Sequence, residues 1–272
     1  MISDTALAPS AALPARSTPG RHGPRFWTLG SLTLALLLAM PLLVILGFLL
    51  LPGSGSWQHL AATVLPNYLT NSLLLALGVA VGTLVVGVGA AWLTSLCQFP
   101  GRGVFEWALL LPMAMPAYII AYTYTGLLDF AGPLQSGLRD LTGWRHGDYR
   151  LPEVRSLGGA VIMLTLVLYP YVYLLTRAAF LSQSVCVLEV GRTLGLGPWR
   201  TFFQIALPLA RPAIAAGVAL ALMETLADYG TVQYFGVQTL TTGIFRTWYG
   251  LGDPVGAAQL SALLLGFALV LI

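Results

Sequence analysis

Six long apolar runs alternate with shorter polar segments along the chain. None shows the two-residue alternation of a half-buried strand, and most are too long for one. A helix of roughly 20 apolar residues crosses a hydrocarbon core about 30 Å thick, so each run is read as a transmembrane helix. The first covers Thr28 to Leu51 with Pro41 inside it. It is longer than the apolar part of a signal peptide, and no A-x-A cleavage site follows. The second runs from about Leu69 to Leu96, the third from Val104 to Leu128, the fourth from Gly158 to Leu181 and the fifth from about Pro212 to Ala227. The sixth begins near Ala257 and is still apolar at Ile272. Its residues rise only about 24 Å as a helix. The last helix is therefore expected to be truncated, in a fragment or in the first half of a longer polypeptide.

Three local patterns sit on these runs. Gly78, Gly82 and Gly89 are expected on one face of the second helix. Gly78 and Gly82 have the G-x-x-x-G spacing that lets a neighbouring helix come close. Pro112 and Pro116, in LPMAMPAY, make the third helix irregular and free carbonyls that neighbours or water must satisfy. A kink lining a pathway and a kink made for packing both fit that pattern. Glu224 and Asp228 lie four apart near the end of the fifth run, hence on one helical face. Carboxylates at membrane depth are costly and by default functional, so Glu224, Asp228 and the adjoining Tyr229 are candidates for a translocation pathway. In the structural alternative the carboxylates are hydrogen-bonded near the outer interface, and Tyr229, Tyr234 and the tyrosines of Tyr169 to Tyr173 form an aromatic belt.

Composition changes the picture by exclusion. The chain is 57% hydrophobic and 8% charged, against roughly 25% charged residues in soluble domains. An all-α polytopic membrane protein follows. All 13 basic residues are arginine, and no basic cluster suggests nucleic acid. Cys97 and Cys186 stand far apart and read as free thiols. No metal-ligand spacing, phosphate-cradling loop or catalytic triad pattern occurs, so no metal site or catalytic residue is assigned and the chain is not expected to act alone as an enzyme. Residues 1 to 25, rich in Ala, Pro and Ser, read as a disordered cytoplasmic tail. With the N-terminus inside, eight arginines fall inside (Arg16, Arg21, Arg25, Arg102, Arg177, Arg192, Arg200, Arg211) and five outside (Arg139, Arg145, Arg150, Arg155, Arg246), in the sense of the positive-inside rule.

The remaining polar segment, Glu189 to Pro208, reads EVGRTLGLGPWRTFFQIALP. Glu189 to Leu194 can form a short helix, which Gly195 or Gly197 ends in a left-handed conformation. Pro198 restarts the chain, and Trp199, Phe202, Phe203 and Ile205 give an apolar stripe beside Arg200 and Gln204. Pro208 and Pro212 are expected to break that element from the fifth span. Such a capped helix between two spans is shaped to dock into a partner's groove; the alternative is a loop resting on lipid headgroups.

The spacing of this segment resembles the EAA loop of binding-protein-dependent ABC importer permeases, E-A-A-x3-G-x9-I-x-L-P. Glu189, Gly195, Ile205, Leu207 and Pro208 fall in register, while Val190 and Gly191 replace the two alanines. The resemblance runs from about Asn71 to Ile272. It implies a type I ABC importer transmembrane domain over 69–272, preceded by a first transmembrane helix and outer loop at 26–68. About six transmembrane helices and a cytoplasmic coupling helix belong to that fold. The resemblance also implies a multi-pass protein of the bacterial inner membrane with its N-terminus cytoplasmic. The chain itself would bind no cofactor; ATP would be used by separate ATP-binding subunits docked on the Glu189 to Pro208 loop. The other implied partners are a periplasmic substrate-binding protein and a second permease domain, fused or separate. Glu224 to Asp253 is similar to ferric iron permeases, which carry two fused permease domains, and implies ferric iron as substrate. Thiamine, phosphonate or polyamine are the alternatives within the class. A secondary transporter or channel, the main competing class, would need no ATPase; a membrane scaffold or sensor would need a soluble output domain.

Overall fold

The computed structural model describes residues 25–50, 55–144, 148–149, 153–183 and 195–272. The chain divides into two units between Val44 and Ile45. The first consists, in its described part, of most of helix α1, Arg25–Phe48, which runs on through Pro41.

The second unit is built around α3, Leu65–Leu96, which begins ahead of the expected Leu69 and is preceded by the short α2, Gly55–Thr63. It packs on α7, Leu157–Ser182, and on α8, Pro198–Ala227. Small residues make this crossing possible. A Cβ on Gly78 would meet Val161 Cγ1 at 2.8 Å, and one on Gly82 would collide with the Thr165 hydroxyl. A Cβ on Gly87 or, from α8, on Gly217 would meet Val172, at 2.7 and 2.8 Å. Gly89 has nothing near it, contrary to expectation. The buried face of α3 steps by threes and fours through Ser72, Ala76, Val79, Thr83, Gly87, Ala91 and Thr94, and at the level of Gly89 the close contact has passed to Gly87.

The third apolar run is broken rather than kinked. Helix α4, Arg102–Ala108, passes into a 3-10 turn at Leu111–Ala114, and α5, Ala117–Leu128, resumes after Met115 and Pro116 take up extended backbone. The two halves, Arg102–Ala114 and Ala117–Thr142, meet at 99°. A residue before proline is pushed out of helical conformation, which fixes the break at Met115. Beyond α5, the short α6, Pro133–Thr142, ends at left-handed Gly143. The α7 helix then starts at Ser156, whose hydroxyl accepts from the Gly159 N–H.

The expected break at Pro208 and Pro212 does not occur, so the fifth span starts well before Pro212. Helix α8 is continuous from Pro198, with one π-helical turn at Phe202–Ala206. There the Leu207 N–H donates to the Phe202 carbonyl. The widened turn comes just before Pro208, where the ladder must lose a donor, so the proline enters without ending the helix. Pro212 is carried inside.

After Asp228 the chain turns back through α9, Gly230–Tyr234, and α10, Leu240–Phe245, then a π-helical turn at Arg246–Gly250, to α11, Pro254–Leu271. This turn is stitched to the first turns of α3. Ser72 Oγ accepts from the Leu240 N–H at 2.9 Å, and Asn71 Nδ2 donates to the Gln238 carbonyl at 2.9 Å. The Tyr68 ring occupies the space a side chain on Gly243 would need. Among the described residues five helices are long and apolar enough to cross a membrane, or six if the bent pair is one span. The structure is all-α there, as expected.

Candidate functional site

Two regions carry the candidate residues, at opposite ends of α8. At its start lies the loop motif. Glu189, Val190 and Gly191 lie outside the described residues. Gly195 is left-handed, with φ +76°, whereas Gly197 has φ −68° and stands as the N-cap of α8. Pro198 opens the helix, its missing N–H costing nothing at that position. Trp199 and Phe203 project from this end, 70% and 58% exposed, with rings stacked at 6.4 Å. Phe202 turns inward, its ring 4.5 Å from that of Trp92. Ile205, Leu207 and Pro208 are half-buried in the first turns of the helix. Gln183, at the end of α7, donates from Nε2 to the Ala206 carbonyl at 3.0 Å. The stripe therefore divides: one aromatic pair is presented outward and the rest anchors the tip to α3 and α7.

Toward the far end of α8 the three pathway candidates separate. Glu224 opens on a cavity of about 360 Å³ lined by Met113, Met115, Pro116, Val167 and Tyr171. The break in the third run forms one wall and Tyr171 of α7 another. Asp228 is the C-cap residue of α8, with φ −68° and ψ 122°, and it does not line that cavity. Its carboxylate accepts from the Thr231 N–H at 2.9 Å, the Thr231 hydroxyl at 3.0 Å and the Val232 N–H at 3.1 Å. It thus satisfies the opening of α9. Tyr229 stacks on Phe245 at 4.0 Å and 22°, and Phe245 in turn faces Tyr249. These rings line a second cavity, of about 480 Å³, with Tyr68, Gln233, Gln238 and Arg246.

Other residues of the two cavities carry no mark in the sequence. The paired prolines mark the break, but nothing marks Met113, Met115 and Tyr171 as the walls facing Glu224, or Arg246 as a cavity residue. Tyr169 and Tyr173 do not form an aromatic belt, being buried. The Tyr169 hydroxyl donates to the Leu109 carbonyl at 2.8 Å, and that of Tyr173 to the Glu106 carbonyl at 3.3 Å. Glu106 itself joins two arginines: Arg102 Nε lies 3.0 Å from Oε1 and Arg177 Nη2 2.9 Å from Oε2. The spacing of four from Arg102 is the one local sign of it, and nothing in the sequence points to Arg177.

Known proteins share this organisation. Residues 20–272 match the family described as binding-protein-dependent transport system inner membrane component. The chain is 28% identical over 251 residues to the Fe(3+)-transport system permease protein FbpB 2 of Haemophilus influenzae. That match covers 92% of this chain and 45% of the relative, so the chain spans less than half of that protein's length. The molybdenum transport system permease protein ModB of Escherichia coli is 28% identical over 195 residues, 69% of this chain and 82% of ModB. The putative 2-aminoethylphosphonate transport system permease protein PhnU of Salmonella choleraesuis is 28% identical over 177 residues, 64% of this chain and 60% of PhnU. Among solved structures, a bacterial ABC transporter involved in the import of the acidic polysaccharide alginate superposes with a TM-score of 0.71 at 16% identity, over 91% of this chain and 93% of that one. That likeness establishes the fold, and the family match establishes the kinship: this chain belongs to the binding-protein-dependent transport system inner membrane components.

Proposed function

We propose that the chain is a permease subunit of an ATP-driven importer of the bacterial inner membrane. The observation that carries this reading is the continuity of α8. One unbroken helix has an exposed aromatic tip beside left-handed Gly195 and, at its other end, a carboxylate in a cavity. ATP-binding subunits would dock at the Glu189 to Pro208 end, which is then cytoplasmic along with the N-terminus. A periplasmic binding protein would deliver substrate at the outer turn, and a second permease domain would complete the pathway. Closure of the ATPases would move the tip, and the helix would transmit the shift to the cavity. The bias needed between two such states is a few kcal/mol.

For the substrate, ferric iron is the first reading. It rests on the extent of the match to FbpB 2 and on Glu224, which would attract a cation in a site where a tyrosine supplies a hard oxygen. The second reading, an oxyanion or phosphonate, is favoured by the outer cavity. Its lining includes Arg246, two glutamines and no acidic residue, and ModB and PhnU are relatives of that kind by name.

The test is reconstitution. The chain, its ATP-binding partner, the second permease domain and the binding protein, placed in proteoliposomes, should accumulate substrate only with ATP. Uptake that proceeds without ATP or binding protein would favour a secondary transporter or channel. Labelled ferric iron, molybdate and 2-aminoethylphosphonate, offered in parallel, separate the two substrate readings.

A further inference from the structure

Helix α4 presents a puzzle of attachment. None of its seven residues is buried, and Val104 and Trp107 are 72% and 76% exposed. Its apolar hold lies just past its end, where Leu109 and Leu110 pack against the core of α3, α7 and α8, and it leads into the turn whose Met113, Met115 and Pro116 wall the Glu224 cavity. Along α4 itself the ties to the bundle are polar. Arg102 donates to the Ser95 carbonyl at 3.2 Å and to the Cys97 carbonyl at 3.4 Å, at the end of α3. Glu106 takes Arg102 on one carboxylate oxygen and Arg177 of α7 on the other. Tyr173 and Tyr169, also from α7, hold the carbonyls of Glu106 and Leu109.

Arg177 stands in the last two turns of α7, and the chain leaves α7 directly into the docking motif. The same end holds most of the buried polar atoms without a hydrogen-bond partner among the described residues: Ser95 Oγ, Thr176 Oγ1, Arg177 Nε and Gln183 Oε1. Buried polar groups are ordinarily satisfied, so this interface depends unusually on the bonds it does make.

We propose that Glu106 is a positioning residue for transport. It clamps α4 to α7, so that displacement of the docking segment carries the Met113 to Pro116 wall of the cavity with it. The proposal rests on the import reading and names a second part, besides α8, that links the two ends of the bundle. The carboxylate is suited to the task because it bridges two arginines that belong to different elements. Such charge-assisted bonds are short and directional, and removing the central partner leaves both arginines half-buried without their anion.

Two measurements test it. The first uses the assembled importer in proteoliposomes, with uptake and binding-protein-stimulated ATP hydrolysis read together. Glu106→Gln and Arg177→Gln should lower uptake by about tenfold or more while hydrolysis stays within about twofold, and Arg177→Lys should restore most of the uptake. Parallel loss of uptake, hydrolysis and assembled complex would mean a merely structural role, and wild-type uptake in both glutamine variants would overturn the proposal outright. The second needs no transport. Spin labels at Val104→Cys and Leu181→Cys, with Cys97 and Cys186 replaced, report the distance between α4 and α7. That distance should stay fixed when the complex is trapped with ATP, and it should broaden in Glu106→Gln. A change on trapping in the parent protein would show that the two helices do not move as a unit and would defeat the clamp. If the parent complex gave no ATP-dependent uptake, the import reading would fail instead, and the spin-label result would still stand or fall alone.

Discussion

At the scale of single residues, the two candidate carboxylates serve different surroundings: Glu224 lines a cavity, and Asp228 bonds to Thr231 and Val232. Spacing placed Glu224 and Asp228 together, because four residues are one helical turn. It gave no sign that the helix stops at Ala227, since the residues that stop it act from the following turn: Thr231 and Val232 offer Asp228 three donors. Different outcomes follow for the two. Glu224→Gln keeps shape and most hydrogen bonding but removes the charge from the cavity. Import of a cation should fall by about an order of magnitude, with membrane abundance unchanged on immunoblots. Asp228→Asn keeps an acceptor and should transport nearly normally, whereas Asp228→Ala strands the donors at a cost of about 1–3 kcal/mol, read as a lower melting temperature and lower abundance. Gly195→Val forces a β-branched residue into left-handed backbone. Uptake should be lost with insertion intact, checked by membrane fractionation beside transport.

At the scale of elements, the third run and α8 exchange the behaviour their prolines suggest. Two prolines in LPMAMPAY break one helix nearly at a right angle, and two in LPLARP fail to break another. The difference lies in what precedes them. A π-helical turn has widened the ladder ahead of Pro208, whereas Met115 ahead of Pro116 is extended. Proline in a sequence shows where a donor is missing; the surrounding ladder decides whether that loss matters, and no local pattern announces a π turn. Replacing both Pro112 and Pro116 by alanine should let α4 and α5 approach a straight span. The Glu224 cavity would shrink and uptake would drop. Thiol labelling of Met115→Cys should slow in parallel, and unchanged labelling would show that the break does not depend on the prolines.

At the scale of the whole molecule, count and class were legible, because a run of about twenty apolar residues has few other fates. The helix crossings were half legible. Gly78 and Gly82 are at the contact as their spacing suggests, but Gly87 and Gly217 matter as much and Gly89 does not. Contact faces are set by the partner's path as well as by the helix's own period. The sidedness of the chain rests on its arginines and is open to direct test. In a variant lacking native cysteines, Arg145→Cys should react with an impermeant maleimide added to spheroplasts, and Arg192→Cys only after the membrane is opened. The reverse pattern would invert the topology.

The glycine-lined crossing of α3 with α7 also has a consequence in time. About 60 residues separate the end of α3 from the start of α7. At the roughly 5–20 residues per second of synthesis, α3 spends several seconds in the bilayer before the helix that fills its grooves exists. During that wait its polar side chains have nowhere to turn but inward. Thr83 and Thr94 already do so, each donating to a carbonyl one turn back on α3 itself, Val79 and Ala90. Those two hydroxyls therefore need no partner from α7, and in a ribosome-stalled chain that lacks α1 and ends just before Leu157, α3 should already resist alkaline extraction.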